Sequence, residues 1–277
     1  MRQLSVFLLL AAMLMTAAGA LAFEPIVFED PAGDDKGPGT YKYPTAAAYK
    51  SGSFDLKKVE IKDAGENVEF KVTLKAPIED PWDSKTWSPP GQGFSLQFIQ
   101  IYVDTDHKEG SGHKDALPGI NVRFPEASRW EKVVLISPQP VSRVKMEVKM
   151  KAKDFAASVV VPKKVQVKGK SLIVSVPKAE LGDVQKSWGW QVVVQSNEGY
   201  PDGNDVLTRD VNEIEGEHRF GGGNDWDCDP HPIDILAGAG RGKDVEKQAQ
   251  FDALQYKCAG SDLSKAKLAE VPMLYPQ

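Results

Sequence analysis

Apolar and polar positions alternate through much of the chain. Val68, Phe70, Val72 and Leu74 are separated by Glu69, Lys71 and Thr73, and Val144, Met146, Val148 and Met150 by Lys145, Glu147 and Lys149. Val165 and Val167 flank Gln166, and Leu172, Val174 and Val176 continue the period of two. This alternation predicts half-buried antiparallel strands, with one face in a core and the other in water. Phe94 to Val103, Val133 to Ile136 and Trp188 to Val194 are apolar on both sides and predict central strands. Turn residues separate these runs at Asp63 to Gly65, Pro89 to Gly91, Gly110 to Gly112, Pro138, Pro140 and Gly169. The pattern predicts about ten strands and no long amphipathic helix before residue 240. Lys178 to Gly182 is expected to form one helical turn after Pro177, and Asp244 to Gln255 fits a helix or a strand. Residues 23–50, rich in Gly and Pro, are expected to form an ordered loop rather than a strand. The fold class expected is all-β: an antiparallel β-sandwich with few short helices.

The N-terminus follows a different pattern. Residues 1–22 carry one charge, Arg2, and Leu4 to Ala22 are apolar or small apart from Ser5 and Thr16. The run ends Ala20-Leu21-Ala22, which reads as a signal peptide cleaved before Phe23. If it were retained, the same run would be long enough to anchor the chain in a bilayer. Cleavage leaves residues 23–277, read as a single domain with more acidic than basic residues. No later apolar run is long enough to span a membrane. The chain has 34 Lys and Arg against 39 Asp and Glu, which argues against nucleic acid as a partner. The chain is therefore expected to be exported, to the periplasm, the medium or the cell surface.

The two cysteines, Cys228 and Cys258, are expected to form a disulfide in an oxidising compartment. There is no C-x-x-C-H, so covalently attached haem is not expected. Three acidic clusters could hold a cation. Asp30, Asp34 and Asp35 lie in a Gly/Pro-rich loop, Asp104 and Asp106 follow an apolar run, and Asn224 to Asp229 lies near Asp234. Oxygen-rich loops of this kind suit calcium, and Asp is also common in turns because it hydrogen-bonds its own backbone. Trp82, Trp87 and Trp226 sit in polar surroundings and are candidate platforms for sugar rings, whereas Trp188 and Trp190 are expected in the core. No catalytic motif is present, and the four histidines lack metal-ligand spacing.

The opening Asp30-Pro-x-Gly-Asp-Asp-x-Gly-Pro-Gly-Thr-Tyr-x-Tyr-Pro44 resembles the start of the glucodextranase C-terminal domain family. The segments Gly52 to Leu56, Pro81-Trp82, Gln100 to Asp106, Leu117 to Gly119, Trp130-Glu131, Arg209 to Val211, Phe220 to Gly223 and Asp229 to Leu236 extend the resemblance. It implies a β-sandwich like carbohydrate-binding modules and cytochrome-type domains, usually appended to starch- or dextran-degrading enzymes and itself non-catalytic. Cys228 within the last motif and His231 beside Pro232 depart from the usual pattern. The first reading is an exported, calcium-stabilised module that binds a polysaccharide or cell-surface glycan, with a glycan-degrading enzyme as a possible partner. A second reading is a periplasmic haem-b or redox subunit on a related sandwich, with Met146 or Met150 as an axial ligand. A glycoside hydrolase is the third.

Overall fold

The computed structural model describes residues 23–224, 228–237, 243–260, 262 and 264–276. The strands are β1 (Ile26–Glu29), β2 (Leu56–Ala64), β3 (Asn67–Leu74), β4 (Gln97–Asp104), β5 (Val122–Arg123), β6 (Lys132–Ile136), β7 (Val159–Val160), β8 (Val165–Lys168), β9 (Ser171–Pro177), β10 (Gly189–Ser196), β11 (Asp234–Ile235) and β12 (Ala269–Glu270). Three α-helices accompany them: α1 (Val141–Lys151), α2 (Lys178–Leu181) and α3 (Lys243–Ala253). The first sheet has the order β1-β2-β3-β9-β8 and is antiparallel throughout. The second has the order β11-β10-β4-β6-β7 and is antiparallel except where β6 meets β7. β12 pairs with β5 in a short parallel ribbon.

The two patterns of apolar residues map onto the two sheets. In β3, Val68, Phe70, Val72 and Leu74 are fully buried while the residues between them are half-buried. The first sheet therefore has one face in the core and one in water. β4 and β10 are buried at every position. Ile99, Ile101, Val103, Trp190, Val192 and Val194 face the inter-sheet core with Phe70 and Ile61. Phe98, Tyr102, Leu135 and Val193 face the opposite way, into a second core closed by α1, β5, Trp130 and Leu254. A sheet covered on both faces reads as a continuous apolar run, which is why these strands lose the alternation.

Several expectations are corrected. The stretch from Val144 to Met150 is not a strand: it lies within α1, so an amphipathic helix does precede residue 240. Val144 and Val148 are buried, whereas Met146 and Met150 are 50 % and 68 % exposed. Positions i and i+4 share a face in a helix as well as in a strand, so two of the four apolar residues fit both patterns. Lys, Glu and Met are strong helix formers, and Pro140 sits at the N-cap. Residues 23–50 are mostly loop, but Ile26–Glu29 pairs with β2 and forms the edge of the first sheet. α3 resolves the ambiguous segment as a helix, and α2 is the single turn expected after Pro177. Cys228 and Cys258 form the disulfide, with Cα atoms 5.6 Å apart. Trp188 and Trp190 are buried, as expected.

Candidate functional site

The loop between β3 and β4 carries Trp82 and Trp87 to the end of the second sheet where β6 and β10 finish and β4 begins. There they line a groove of about 540 Å³ together with Gln139, Arg143, Asn197, Tyr200, Arg209 and His218. Both Trp side chains are half-buried. The Trp87 indole N–H donates to the Trp82 backbone carbonyl at 3.0 Å, which anchors the Trp87 ring to the loop. Trp82 packs edge-on against Tyr49 and His218, with centroids 6.0 and 5.8 Å away. The Arg209 guanidinium lies 5.8 Å from the centre of the Trp82 ring. It also donates to the Tyr49 hydroxyl at 2.8 Å and to the His218 carbonyl at 2.7 Å. Across the groove, Arg143 on the first turn of α1 lies 5.9 Å from the centre of the Tyr200 ring, which is 90 % exposed.

The charges in this groove are balanced locally. Arg209 pairs with Glu198 at 3.1 Å, and Arg143 lies 3.8 Å from Glu147, a carboxylate it shares with Lys151 at 3.0 Å. Gln139 receives an N–H from Arg143 at 3.3 Å. The result is a set of aromatic faces bordered by amide and guanidinium donors, with little uncompensated charge. Rings of this kind take the apolar face of a sugar while the polar groups meet its hydroxyls. Among the described residues Glu198 is the one carboxylate lining the groove, whereas glycoside hydrolysis uses a pair. Sequence reasoning found Trp82 and Trp87 as ligand contacts but gave no such role to Arg209, which it noted only within a family segment, nor to Tyr200, Arg143 and His218, which come from distant segments. Trp226 lies outside the described residues.

The acidic residues regroup. Asp30, Asp34 and Asp234 bring carboxylate oxygens within 4.8 Å of one another, all buried. Asp234, read in sequence with the third cluster, thus belongs with the first. Asp225 to Asp227 lie outside the described residues. Burial, followed by the charge of Asp34, pushes the Asp30 carboxyl well above its ordinary value. Burial and the charges of Asp30 and Asp34 do the same to Asp234. Asp34 is pushed up to about 7, chiefly by burial, with the charge of Asp55 adding to the effect. Asp55, fully buried beside them, was not anticipated. Asp35 stands apart, accepting the hydroxyl of Tyr43.

Asp104, Asp106 and Glu131 also converge within 4.8 Å. Here the aspartate oxygens are occupied, and Glu131 Oε2 accepts the Thr105 N–H at 2.8 Å, while Glu131 Oε1 is buried without a hydrogen-bond partner among the described residues. Asp104 accepts the His107 N–H at 2.7 Å and the Tyr275 hydroxyl at 2.5 Å, and Asp106 accepts Lys108 N–H at 3.1 Å and Ser111 Oγ–H at 2.8 Å. Asp202, Asp205 and Asp210 form a third group that sequence reasoning missed, with His231 Nδ1 at 3.8 Å from Asp210. Burial and the neighbouring Asp210 raise Asp205 to about 6.

No curated protein matches the chain. A family model described as the C-terminal binding module, SLH-like, of glucodextranase matches residues 26–273, which include every strand described above. The chain belongs to that family of binding modules.

Proposed function

We propose that the protein is an exported, non-catalytic module that holds a neutral polysaccharide or cell-surface glycan in the groove between Trp82, Trp87 and Tyr200. The observation that carries the reading is the groove itself: aromatic faces and planar polar donors converge where Arg143 and Arg209 are already paired with carboxylates. An anionic ligand would find little free positive charge there, whereas a hydroxyl-rich ring finds stacking and donors. Membership of a binding-module family and the single lining carboxylate support a non-catalytic role. The disulfide and the N-terminal apolar run support export. The partner in this reading is a glycan-degrading enzyme acting on the same polymer.

Affinity gel electrophoresis tests it. The mature protein is run through gels containing dextran, other neutral glucans, or a uronic acid polymer. Retardation by a neutral glucan, lost in Trp87→Ala, is the expected result. Retardation by the uronic acid polymer alone, or by no polymer, would overturn the reading.

A further inference from the structure

Four buried carboxylates meet where the N-terminal loop passes between the open edges of the two sheets. Asp30 follows β1, Asp55 precedes β2, Asp234 opens β11, and Asp34 sits in the loop between β1 and β2. None is more than 4 % exposed. Each of three has one oxygen engaged. Ala237 N–H donates to Asp30 Oδ1 at 3.2 Å, Leu56 N–H to Asp234 Oδ2 at 2.7 Å, and Gly33 N–H and Lys75 Nζ to Asp55 Oδ2 at 2.8 and 3.0 Å. The remaining oxygens, Asp30 Oδ2, Asp55 Oδ1, Asp234 Oδ1 and both of Asp34, are buried without a hydrogen-bond partner among the described residues.

That arrangement is costly without a ligand. A buried carboxylate oxygen lacking a donor forfeits its hydration, and like charges a few ångströms apart repel. Lys75 answers Asp55, the Lys57 ammonium donates to the Asp30 backbone carbonyl rather than to its carboxylate, and Lys247 is close enough to Asp34 to attract it. No ion pair among the described residues reaches the carboxylates of Asp30, Asp34 or Asp234. The other two acidic groups strand fewer buried oxygens. Asp104 and Asp106 have donors on their oxygens and only Glu131 Oε1 beside them is buried without a partner among the described residues, while Asp202, Asp205 and Asp210 have no such oxygen.

We propose that Asp30, Asp34 and Asp234, with Asp55 alongside, hold one calcium ion that ties the N-terminal loop and β11 together across the sandwich. The donors are all hard oxygens, with no His or Cys among them, which selects calcium or magnesium over zinc or copper. The carboxylates come from three places in the chain, the start and the end of the β1–β2 loop and the start of β11, and the free pair on Asp34 suits bidentate ligation. Calcium accepts six to eight oxygens in such a setting, whereas magnesium demands a compact octahedron. The site is independent of the glycan groove and of any ligand bound there.

The test is calcium binding by the mature protein after exhaustive chelation, measured by calorimetry with calcium chloride and by thermal melting. One site per chain and a melting temperature several degrees higher in calcium are expected. Asp34→Asn removes no hydrogen bond and should weaken calcium at least about tenfold. Asp234→Asn, which keeps an acceptor for Leu56, should do the same. Asp104→Asn should leave this binding unchanged. A melting temperature indifferent to both chelator and calcium would overturn the proposal, and the nest would then hold protons. Equal stabilisation by magnesium, or calcium binding lost in Asp104→Asn but kept in Asp34→Asn, would overturn it as well.

Discussion

The backbone N–H of Leu56, first residue of β2 in one sheet, donates to the carboxylate of Asp234, first residue of β11 in the other, at 2.7 Å. The two residues are 178 positions apart, and the bond closes the sandwich at the edge where the N-terminal loop enters. A buried N–H that loses its acceptor costs about 1–3 kcal/mol. Asp234→Ala should therefore be less stable than Asp234→Asn by that amount in urea unfolding carried out in chelator. Both variants remove the same buried charge, and the Asn carbonyl oxygen can keep the bond to Leu56, so the difference between them isolates the hydrogen bond.

The register of α1 gives a second test. Val144 and Val148 face the second core, and Met146 and Met150 face water. Met146→Lys and Met150→Lys should change stability by no more than about 0.5 kcal/mol. Val148→Ala should cost roughly 1–3 kcal/mol. A strand would place all four residues on one face and make all three substitutions costly. Chemical denaturation of the three variants separates the two cases.

Reduction of Cys228–Cys258 opens a loop of 30 residues. In the chain-entropy model a loop of that size contributes roughly 3–4 kcal/mol. For a chain of about 250 residues this corresponds to a fall of roughly 10 °C in the melting temperature. Calorimetry with and without reductant, alongside the Cys228→Ser/Cys258→Ser double variant, should give the same shift by both routes.

Asp205 gives a pH dependence with a definite sign. Burial and the adjacent Asp210 raise its carboxyl to about 6 in the folded chain, against about 3.9 when unfolded. Between those values the folded state binds more protons, so this group lowers stability as the pH rises from 4 to 6 and keeps it lowered above that. Asp205→Asn mimics the protonated form. It should raise the melting temperature at pH 8 by a few degrees and leave it nearly unchanged at pH 4.

The sandwich was legible because its two kinds of strand leave different marks. β3 and β9 alternate, since one face of their sheet is wet, while β4 and β10 are continuously apolar, since α1 and the β5–β12 ribbon cover the outer face. α1 was misread because Val144 and Val148 satisfy a period of two and a helical turn alike. β1 was missed because four residues beside a Gly/Pro-rich loop carry too little pattern. Trp82 and Trp87 stood out as aromatic residues in a polar stretch. Arg209 and Tyr200 gain their place only when loops from β3, β10 and the segment after it fold onto one another. Asp30 and Asp34 drew attention as a local cluster, whereas Asp55 is a single acid in sequence and Asp234 sits beside a different cluster, and both join the first only through the closure of the two sheets.

Arg209 connects the groove to the core. It lies over Trp82, pairs with Glu198 and donates to Tyr49, whose ring stacks 6.2 Å from Phe54. Arg209→Lys keeps the charge but loses the planar fork that makes these contacts together. It should weaken glycan binding about tenfold while costing no more than about 1 kcal/mol of stability. Parallel calorimetric titration and urea unfolding of the same preparation check both parts.

The most direct measurement is a calorimetric titration of the mature protein with an oligosaccharide of the neutral glucan that retards it in gels. Wild-type protein and the Trp82→Ala/Trp87→Ala variant are compared, with their melting temperatures recorded alongside. One site per chain in the wild type, and binding at least tenfold weaker in the variant at a melting temperature within a few degrees, is the result expected from stacking worth roughly 1–3 kcal/mol. Equal affinity in the two proteins would contradict the account, as would the absence of heat with the wild type.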